Sequence, residues 1–273
     1  MGIELAVGAA IGCAICNAVA AIMQKTSSDK AALIRGYNVG IFVQLFRQLP
    51  YAAGIVLDLA AGVFTLIAVN RLPLFIVQAI IACCVVLTAF LERIFLHRIL
   101  RVQTYIAALV VLIGLIGVAS AAHGEGTATV SPTLKYTFAA LPLLLAIIGA
   151  VVVRTERRAG AIILAALSGC AFGGDSIIGR IMVYPHPIWL VIEKPLFWSL
   201  VAYGVIGMFF FTAALQRTLA TIVNGLMTST QTLVPLIIGV SLLGDTARNG
   251  LWLPVWIGCL LVTGGCFYIA YTD

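Results

Sequence analysis

The sequence predicts an all-α polytopic membrane protein, with about nine transmembrane helices in two inverted four-helix repeats joined by one connecting helix. Three observations predict this fold class. Hydrophobic residues make up 62% of the 273-residue chain and charged residues 10%, and the mean hydropathy is +1.14. A soluble domain carries about 25% charged residues. The apolar residues form runs of membrane-spanning length, and two hinges between runs are alike. Because every linker is short, we expect a single membrane domain over residues 1–273.

The elements follow in order from the length that a span requires. A helix needs about 20 apolar residues to cross the hydrocarbon core. This length predicts spans near 3–24, 50–70, 73–97, 101–121, 134–153, 159–183, 195–216, 219–243 and 250–271. The first run lacks the basic start and the cleavage site of a signal peptide, so we interpret it as a retained helix. Pro73 suits a first helical turn, and HGEGTATVSP (123–132) has the composition of a loop.

The segment 33–50 allows two interpretations. Between Arg35 and Arg47 lie only eleven mostly apolar residues, too few for a comfortable span. We interpret the segment as an amphipathic helix that lies in the membrane interface, with the arginines reaching toward water. A tilted tenth span is the alternative.

The basic residues predict the orientation. They lie mainly in alternate loops, after spans one, three, five and seven: Lys25, Lys30, Arg35, Arg47, Arg93, Arg98, Arg101, Arg154, Arg157, Arg158 and Arg217. Cytoplasmic loops carry an excess of Lys and Arg. We therefore predict a plasma (inner) membrane protein with its N-terminus outside and its C-terminus in the cytoplasm. The net charge of +6 arises from these loops and does not indicate a nucleic-acid partner.

Two of the hinges share a sequence pattern. AVNRLPLFIVQA joins spans two and three, and ALQRTLATIVNG joins spans seven and eight. In register, Arg71 aligns with Arg217, 146 residues later, and Gln78 aligns with Asn224. Five spans separate the two hinges, so the copies point in opposite directions across the membrane.

Such an inverted repeat is typical of transporters that are built from two related halves. It divides the chain into a first repeat at about 1–121, a connector helix at about 134–153 and a second repeat at about 159–273. Spans one and six both carry a GxxxG pair, which allows close helix approach. These pairs are Gly8/Gly12 and Gly169/Gly173.

The pattern resembles the drug/metabolite transporter superfamily (EamA-like), and most closely its nine-span branch, which includes the NIPA-type magnesium transporters. The likeness covers most of the chain: a first helix that ends in MQK, then YAAGIVLDLAAGVFTLIAVNRLPLFIVQAI, then FWSLVAYGVIGMFFFTAALQRTLATIVNG, and finally LLGD where the family often has LLGE. The first half departs from this pattern, with FLHRIL at the matching place. The resemblance implies an alternating-access transporter that is coupled to protons or another ion.

Ionisable groups inside the bilayer are candidates for the substrate or ion path, because they are costly there unless they face a cavity or a partner. Asp58 lies within span two, and Asp175 lies within span six beside Gly173 and Gly174. A structural hydrogen bond or salt bridge between helices is the alternative role for both aspartates. Arg180 either reaches outward to the interface or receives an anionic group of the substrate.

The most polar run within a span is MTSTQT in span eight, followed by Pro235. The proline leaves a backbone carbonyl without its usual donor, and such a group is tolerated only against protein or a water-lined cavity. The run therefore supplies further candidates for the path, unless its hydroxyls serve helix packing. With the two hinge amides, these are Thr228, Thr230, Gln231, Asn224 and Gln78.

Other chemistry-bearing residues receive structural interpretations. The charged cluster near the end of span three is interpreted as a set of interfacial anchors: Glu92, Arg93, His97, Arg98 and Arg101. All seven cysteines lie in apolar segments and, as small packing residues, predict neither a metal site nor a cofactor.

Four functions compete at this stage. A solute transporter is the first, and a magnesium or divalent-cation permease with Asp58 and Asp175 in its path is the second. A membrane enzyme is disfavoured, because the surroundings of the two aspartates do not match intramembrane proteases and no zinc, phosphate-binding or Ser/His pattern occurs. A non-transporting partner subunit is the fourth. The expected partners are the lipid bilayer, a small-molecule or ion substrate, and a second copy or another membrane protein.

Overall fold

The computed structural model describes residues 2–31, 33–34, 39–69, 80–81, 83–97, 102–121, 131–155, 158–182, 188–242 and 252–272. Within these residues the regular elements are all helical, as predicted. We number the α-helices α1 (Gly2–Lys30), α2 (Val39–Phe46), α3 (Leu49–Val69), α4 (Cys84–Phe95), α5 (Val102–Ala121), α6 (Pro132–Val152), α7 (Arg158–Ile181), α8 (Pro195–Leu215), α9 (Ala220–Leu242) and α10 (Trp252–Thr272). A short 3-10 helix, Ile188–Glu193, precedes α8.

Five of the described helices contain stretches that are long and apolar enough to cross a membrane. These stretches are Glu4–Lys30, Thr133–Val152, Arg158–Ile178, Pro195–Leu215 and Ala220–Gly239. Shorter apolar stretches occur in α3, α5 and α10. Each of these eight helices coincides with a predicted span, so the chain is a multi-pass membrane protein. The predicted span 73–97 is described only in part, through α4 and the residues beside it.

Two boundaries differ from the prediction. The first span is predicted to end near residue 24, but α1 continues to Lys30, because the buried ammonium group of Lys25 donates to Asp29 on the same helix and to the carbonyl of Leu215. In the ambiguous segment, α2 has only 8 residues and ends before α3 begins at Leu49. At a rise of about 1.5 Å per residue it is too short to be a tenth span.

The helices pack in pairs. The most extensive contacts join α1 to α3, α5 to α10, α7 to α8 and α7 to α9. In addition α1 contacts α4, α4 contacts α9, and α6 contacts α7 and α8. The buried face of α1 is rich in alanine, which lets α3 approach closely.

The two predicted GxxxG pairs behave differently. At Gly169 and Gly173 on α7, the space that a Cβ atom would take is filled by Thr230 and Pro235 of α9. Among the described residues, by contrast, a Cβ atom at Gly12 would meet only Phe64 at an ordinary distance of 3.4 Å, and a Cβ atom at Gly8 would meet nothing within 4 Å. Close approach through GxxxG is therefore confirmed for the pair on α7 and wrong for the pair on α1.

The C-terminal ends of α1, α4, α6 and α8 meet at one end of the bundle. Hydrogen bonds join Lys25 near the end of α1 to Leu215, and join Arg217 to Val153 at the end of α6. Glu92 near the end of α4 reaches the start of α9. We call this end the hinge end, after the α8–α9 hinge at 216–219. Among the described residues, the basic side chains at or beside these helix ends are Lys25, Lys30, Arg93, Arg154 and Arg217.

We predict that Gly265→Ala destabilises the protein by about 1–3 kcal/mol, the usual cost of overpacking a tight contact. A Cβ atom at Gly265 of α10 would lie 2.7 Å from the side chain of Val111 on α5. At the neighbouring Gly264 it would meet nothing within 4 Å, so Gly264→Ala is the matched control. Thermal unfolding in detergent measures both variants. Equal melting temperatures for the two variants would contradict the α5–α10 packing.

Candidate functional site at the contact between α4 and α9

A line of polar side chains runs along the contact between α4 and α9. On α4 the polar residues recur every four positions, and on α9 every three or four, so that each set lies on one face of its helix. We call this set the polar ladder; it consists of Cys84, Thr88 and Glu92 on α4 and of Thr221, Asn224 and Thr228 on α9. All are buried except Thr228, which is half-buried.

The middle of the polar ladder is a hydrogen-bonded pair. The side-chain amide of Asn224 donates to the hydroxyl of Thr88 over 2.9 Å, and that hydroxyl donates in turn to the carbonyl of Cys84 over 2.7 Å. Asn224 also lies 3.9 Å from the sulfur of Cys84, which itself interacts with Thr228. Because no water competes at this depth, these bonds fix how α4 and α9 are aligned along their length.

At the hinge end the polar ladder finishes in a buried carboxylate. Glu92 has no exposed surface, and its two oxygens accept from the backbone N–H groups of Ala220 at 2.8 Å and Thr221 at 2.9 Å. The Thr221 hydroxyl donates a third bond over 2.7 Å. The first N–H groups of a helix lack partners within the helix. Leu219, which precedes α9, has no side-chain oxygen with which to cap them. Glu92 therefore acts as the cap of α9 from another helix.

The preceding helix, α8, ends against two cations. The Lys25 ammonium donates to the carbonyl of Leu215 over 2.5 Å and to Asp29 over 2.6 Å. The Arg217 guanidinium donates to the carbonyls of Ala213, Ile34 and Val153 over 2.5–2.8 Å. Cations are favourable at a helix C-terminus and anions at an N-terminus. We call Lys25, Glu92 and Arg217 the charged hinge.

Further polar contacts join the same hinge to the N-terminal part of the chain. The side-chain oxygen of Gln216 accepts from the backbone N–H of Ile34 over 2.9 Å, and its amide donates to the carbonyl of Ser28 over 3.4 Å. The hydroxyls of Tyr51 on α3 and Thr212 on α8 lie 2.7 Å apart. The α8–α9 hinge is thus held from α1, α3, α4 and the end of α6.

The interpretation of Glu92 as an interfacial anchor is wrong, since the side chain is fully buried and bonded to α9. A charged residue near the end of an apolar helix looks the same in sequence whether it reaches water or another helix. The spacing of the polar residues could have predicted the burial of Glu92, because positions 84, 88 and 92 lie on one face of α4. Arg93 and His97 are exposed, which suits the predicted interfacial position.

The polar run of α9 serves two different faces. Asn224 and Thr228 belong to the polar ladder. Thr230 instead packs against Gly169 of α7, and its hydroxyl donates back to the carbonyls of Leu226 and Met227 over 2.9 and 3.2 Å. This is the arrangement of helix packing that the sequence left open. Gln231 is half-buried, and its backbone carbonyl faces Gly173.

The two intramembrane aspartates lie in different helix pairs. Asp58 on α3 accepts a hydrogen bond of 2.6 Å from the side-chain amide of Gln24 on α1, and its side chain is exposed on the outside of this pair. Asp175 on α7 is half-buried, next to Gly174, which packs against the Tyr203 ring of α8. The Oδ1 atom of Asp175 is buried and has no hydrogen-bond partner among the described residues.

Two predicted site residues have side chains that lie outside the part of the chain that the structure describes. Gln78 lies outside the described residues, as does the side chain of Arg180, although the backbone of Arg180 belongs to α7. Within the part of the chain that the structure describes, no group of three or more His, Cys, Asp or Glu side chains is arranged to hold a metal ion.

Comparisons of the chain with protein-family models, with curated protein sequences and with solved structures find no match.

We predict that Glu92→Ala lowers the free energy of unfolding by about 2–4 kcal/mol, because it leaves buried donors at the start of α9 without an acceptor. Glu92→Gln retains one acceptor oxygen and is expected to have an intermediate effect. Glu193→Ala, which removes an exposed carboxylate, is the control. Thermal or denaturant unfolding in detergent is the measurement. A Glu92→Ala protein as stable as the control would show that the carboxylate does not cap α9.

A double-mutant cycle tests the middle of the polar ladder. We predict that Thr88→Val and Asn224→Leu show a coupling energy of about 0.6–2 kcal/mol, the range measured for hydrogen bonds between membrane helices. The pair Ser168→Ala and Asn224→Leu is the control for additivity, because the Ser168 hydroxyl bonds Gly207 in the α7–α8 contact. Additive effects of Thr88→Val and Asn224→Leu would exclude the hydrogen bond between them.

Proposed function

We propose that the chain is a membrane transporter, which moves a small metabolite or drug-like solute by alternating access between two inverted four-helix repeats. The first repeat consists of α1, α3, α4 and α5, and the second consists of α7, α8, α9 and α10, with α6 as the connector. In this proposal the hinge end faces the cytoplasm, in accord with the basic residues of its loops. Coupling is to protons, through Asp175.

The observation that carries this proposal is the correspondence between helix contacts in the two repeats. In the first, α1 packs against α3 and α4; in the second, the equivalent α7 packs against α8 and α9. Equivalent helices also meet each other, since α4 contacts α9 and α5 contacts α10. Such self-pairing is expected around a two-fold axis in the membrane plane, the symmetry of inverted-repeat transporters.

The polar ladder supplies a site at this axis. Solute sites of inverted-repeat transporters lie between the repeats near the middle of the membrane, and α4 and α9 are the equivalent helices that meet there. In the described state the amide of Asn224 and the hydroxyl of Thr88 satisfy each other. When the repeats separate, these groups and the Cys84 thiol become available to a solute that forms hydrogen bonds. The solute then replaces contacts that the closed interface already makes.

Asp175 supports the coupling to protons. An ionised carboxylate at membrane depth is costly unless a cation or several donors accompany it. The Oδ1 atom of Asp175 has neither among the described residues. A proton relieves this cost, and opening of the α7–α8 side would let the carboxylate exchange that proton with water. Asp58 differs, because the Gln24 amide already bonds it.

Transport by purified protein in liposomes tests the proposal. A pH-sensitive dye is trapped inside, and amines, amino acids and organic acids are added singly across a pH gradient. We expect at least one solute to move protons. Asp175→Asn should reduce this proton movement at least tenfold while exchange of the labelled solute persists, because an amide cannot carry the proton. Glu193→Gln, at an exposed site, should behave as wild type.

Two other outcomes would replace the proposal. Movement of Mg²⁺ without any of the solutes, lost in Asp175→Ala, would indicate the cation permease. A protein that moves no solute or ion, and that co-purifies with another membrane protein, would indicate the partner subunit.

A further inference from the structure

A cleft at the hinge end is not used by the proposed transport mechanism. It has a volume of about 670 Å³ and lies between the end of α4 and the start of α5. Its lining combines two basic side chains, one phenol and two large apolar groups: Arg93, His97, Tyr105, Phe90 and Ile94. We call it the α4–α5 cleft. Its volume is that of a site for a small organic molecule, roughly 300–1,000 Å³, and far exceeds the space that a single inorganic ion occupies.

The polar groups of the α4–α5 cleft suit an anion. Arg93 and His97 are both exposed, so their charged or proton-donating ends are available to a ligand. A guanidinium offers paired N–H donors that match the oxygens of a phosphate. The Tyr105 hydroxyl is buried against the cleft and has no hydrogen-bond partner among the described residues. It is therefore a third donor at the cleft that the described residues leave unused.

The end of α4 places His97 at the cleft. Leu96 is the C-cap of α4, and His97 follows it with a φ of 51°, the left-handed conformation in which many helices end. The chain leaves the helix at this residue, and the His97 side chain lines the α4–α5 cleft.

The apolar lining identifies the source of the anion. Phe90 and Ile94 are 57% and 47% exposed, and Phe95 beside them is 66% exposed. These groups form an exposed apolar surface directly beside the basic side chains. A free phosphate would gain nothing from them, whereas a phospholipid would place its headgroup on the cations and its acyl chains along the aromatic groups. The charge and the apolar surface thus occur in the order in which a lipid presents them.

We propose that the α4–α5 cleft binds the headgroup of an anionic phospholipid. Glu92 and Arg93 are neighbours on α4, and they face α9 and the cleft respectively. A lipid held by Arg93 therefore steadies the helical turn that caps α9. The proposal concerns binding and does not require that the protein transports anything.

Binding is tested with purified full-length protein in nanodiscs of phosphatidylcholine, with or without about one fifth phosphatidylglycerol, a content that gives the surface a negative potential. We expect phosphatidylglycerol to raise the thermal stability of wild type, and native mass spectrometry to show retained phosphatidylglycerol. The double variant Arg93→Gln/His97→Gln should bind this lipid at least tenfold more weakly, and Tyr105→Phe about threefold more weakly because one hydrogen bond is lost. Neither variant should change the melting temperature in pure phosphatidylcholine.

Arg154→Gln is the matched control, since Arg154 is an exposed basic residue that follows α6 at the same end of the bundle. It should retain wild-type affinity for phosphatidylglycerol. An equal loss of affinity for phosphatidylglycerol in Arg154→Gln and in Arg93→Gln would show that only general surface charge attracts the lipid. Equal protection by millimolar inorganic phosphate in phosphatidylcholine nanodiscs would replace the lipid with a free anion. Either result overturns the proposal, independently of any transport measurement.

Discussion

The buried carboxylate of Glu92 is the contact on which the arrangement of α4 and α9 depends. A helix that begins inside a membrane protein exposes N–H groups that no water can satisfy. Leu219 provides no cap for them, and the oxygens of Glu92 accept from Ala220 and Thr221 instead. The need of these N–H groups for an acceptor is directional, because they all point away from the start of α9. It therefore fixes both the distance between the helices and the position of α4 along α9, from which the Asn224–Thr88 bond follows.

The charged hinge extends this argument from one helix to the whole bundle. Lys25 and Arg217 neutralise the carbonyl end of α8, as Glu92 neutralises the start of α9. Their partners come from α1, α6 and the segment before α2, so that the charges hold together parts of the chain that are distant in sequence. The proposed repeats also meet through hydrogen bonds between uncharged side chains, Asn224 to Thr88 and Tyr51 to Thr212, which are weaker than contacts between charged groups. In the proposed transporter, the charged hinge is the contact that must break before the hinge end opens.

The sequence predicted what depends on local composition and missed what depends on a distant backbone group. Hydropathy located the helices that are long and apolar enough to cross a membrane. The sequence-based prediction failed for Glu92. The partners of this side chain lie 128 and 129 residues away and are backbone N–H groups, which every residue except proline supplies. The same reason explains Lys25, which binds a carbonyl 190 residues away and lengthens α1 past its predicted end. The Asp58–Gln24 pair was missed because either side chain alone looks like an isolated polar group.

In the proposed transporter, the two repeats are not equivalent in their hinge contacts. In the second hinge, Arg217 binds the carbonyl of Ala213, four residues earlier, which is a local role that an equivalent arginine could perform in either repeat. The cap of α9 is not local, and the 146-residue offset between the hinges gives it no counterpart in sequence: the residue 146 positions after Glu92 is Ile238, whose side chain cannot accept a hydrogen bond. Two inverted repeats with identical contacts would favour neither orientation of an alternating-access cycle. If the protein works by such a cycle, the Glu92 cap stabilises closure of the hinge end, because the equivalent position of the second repeat supplies no carboxylate.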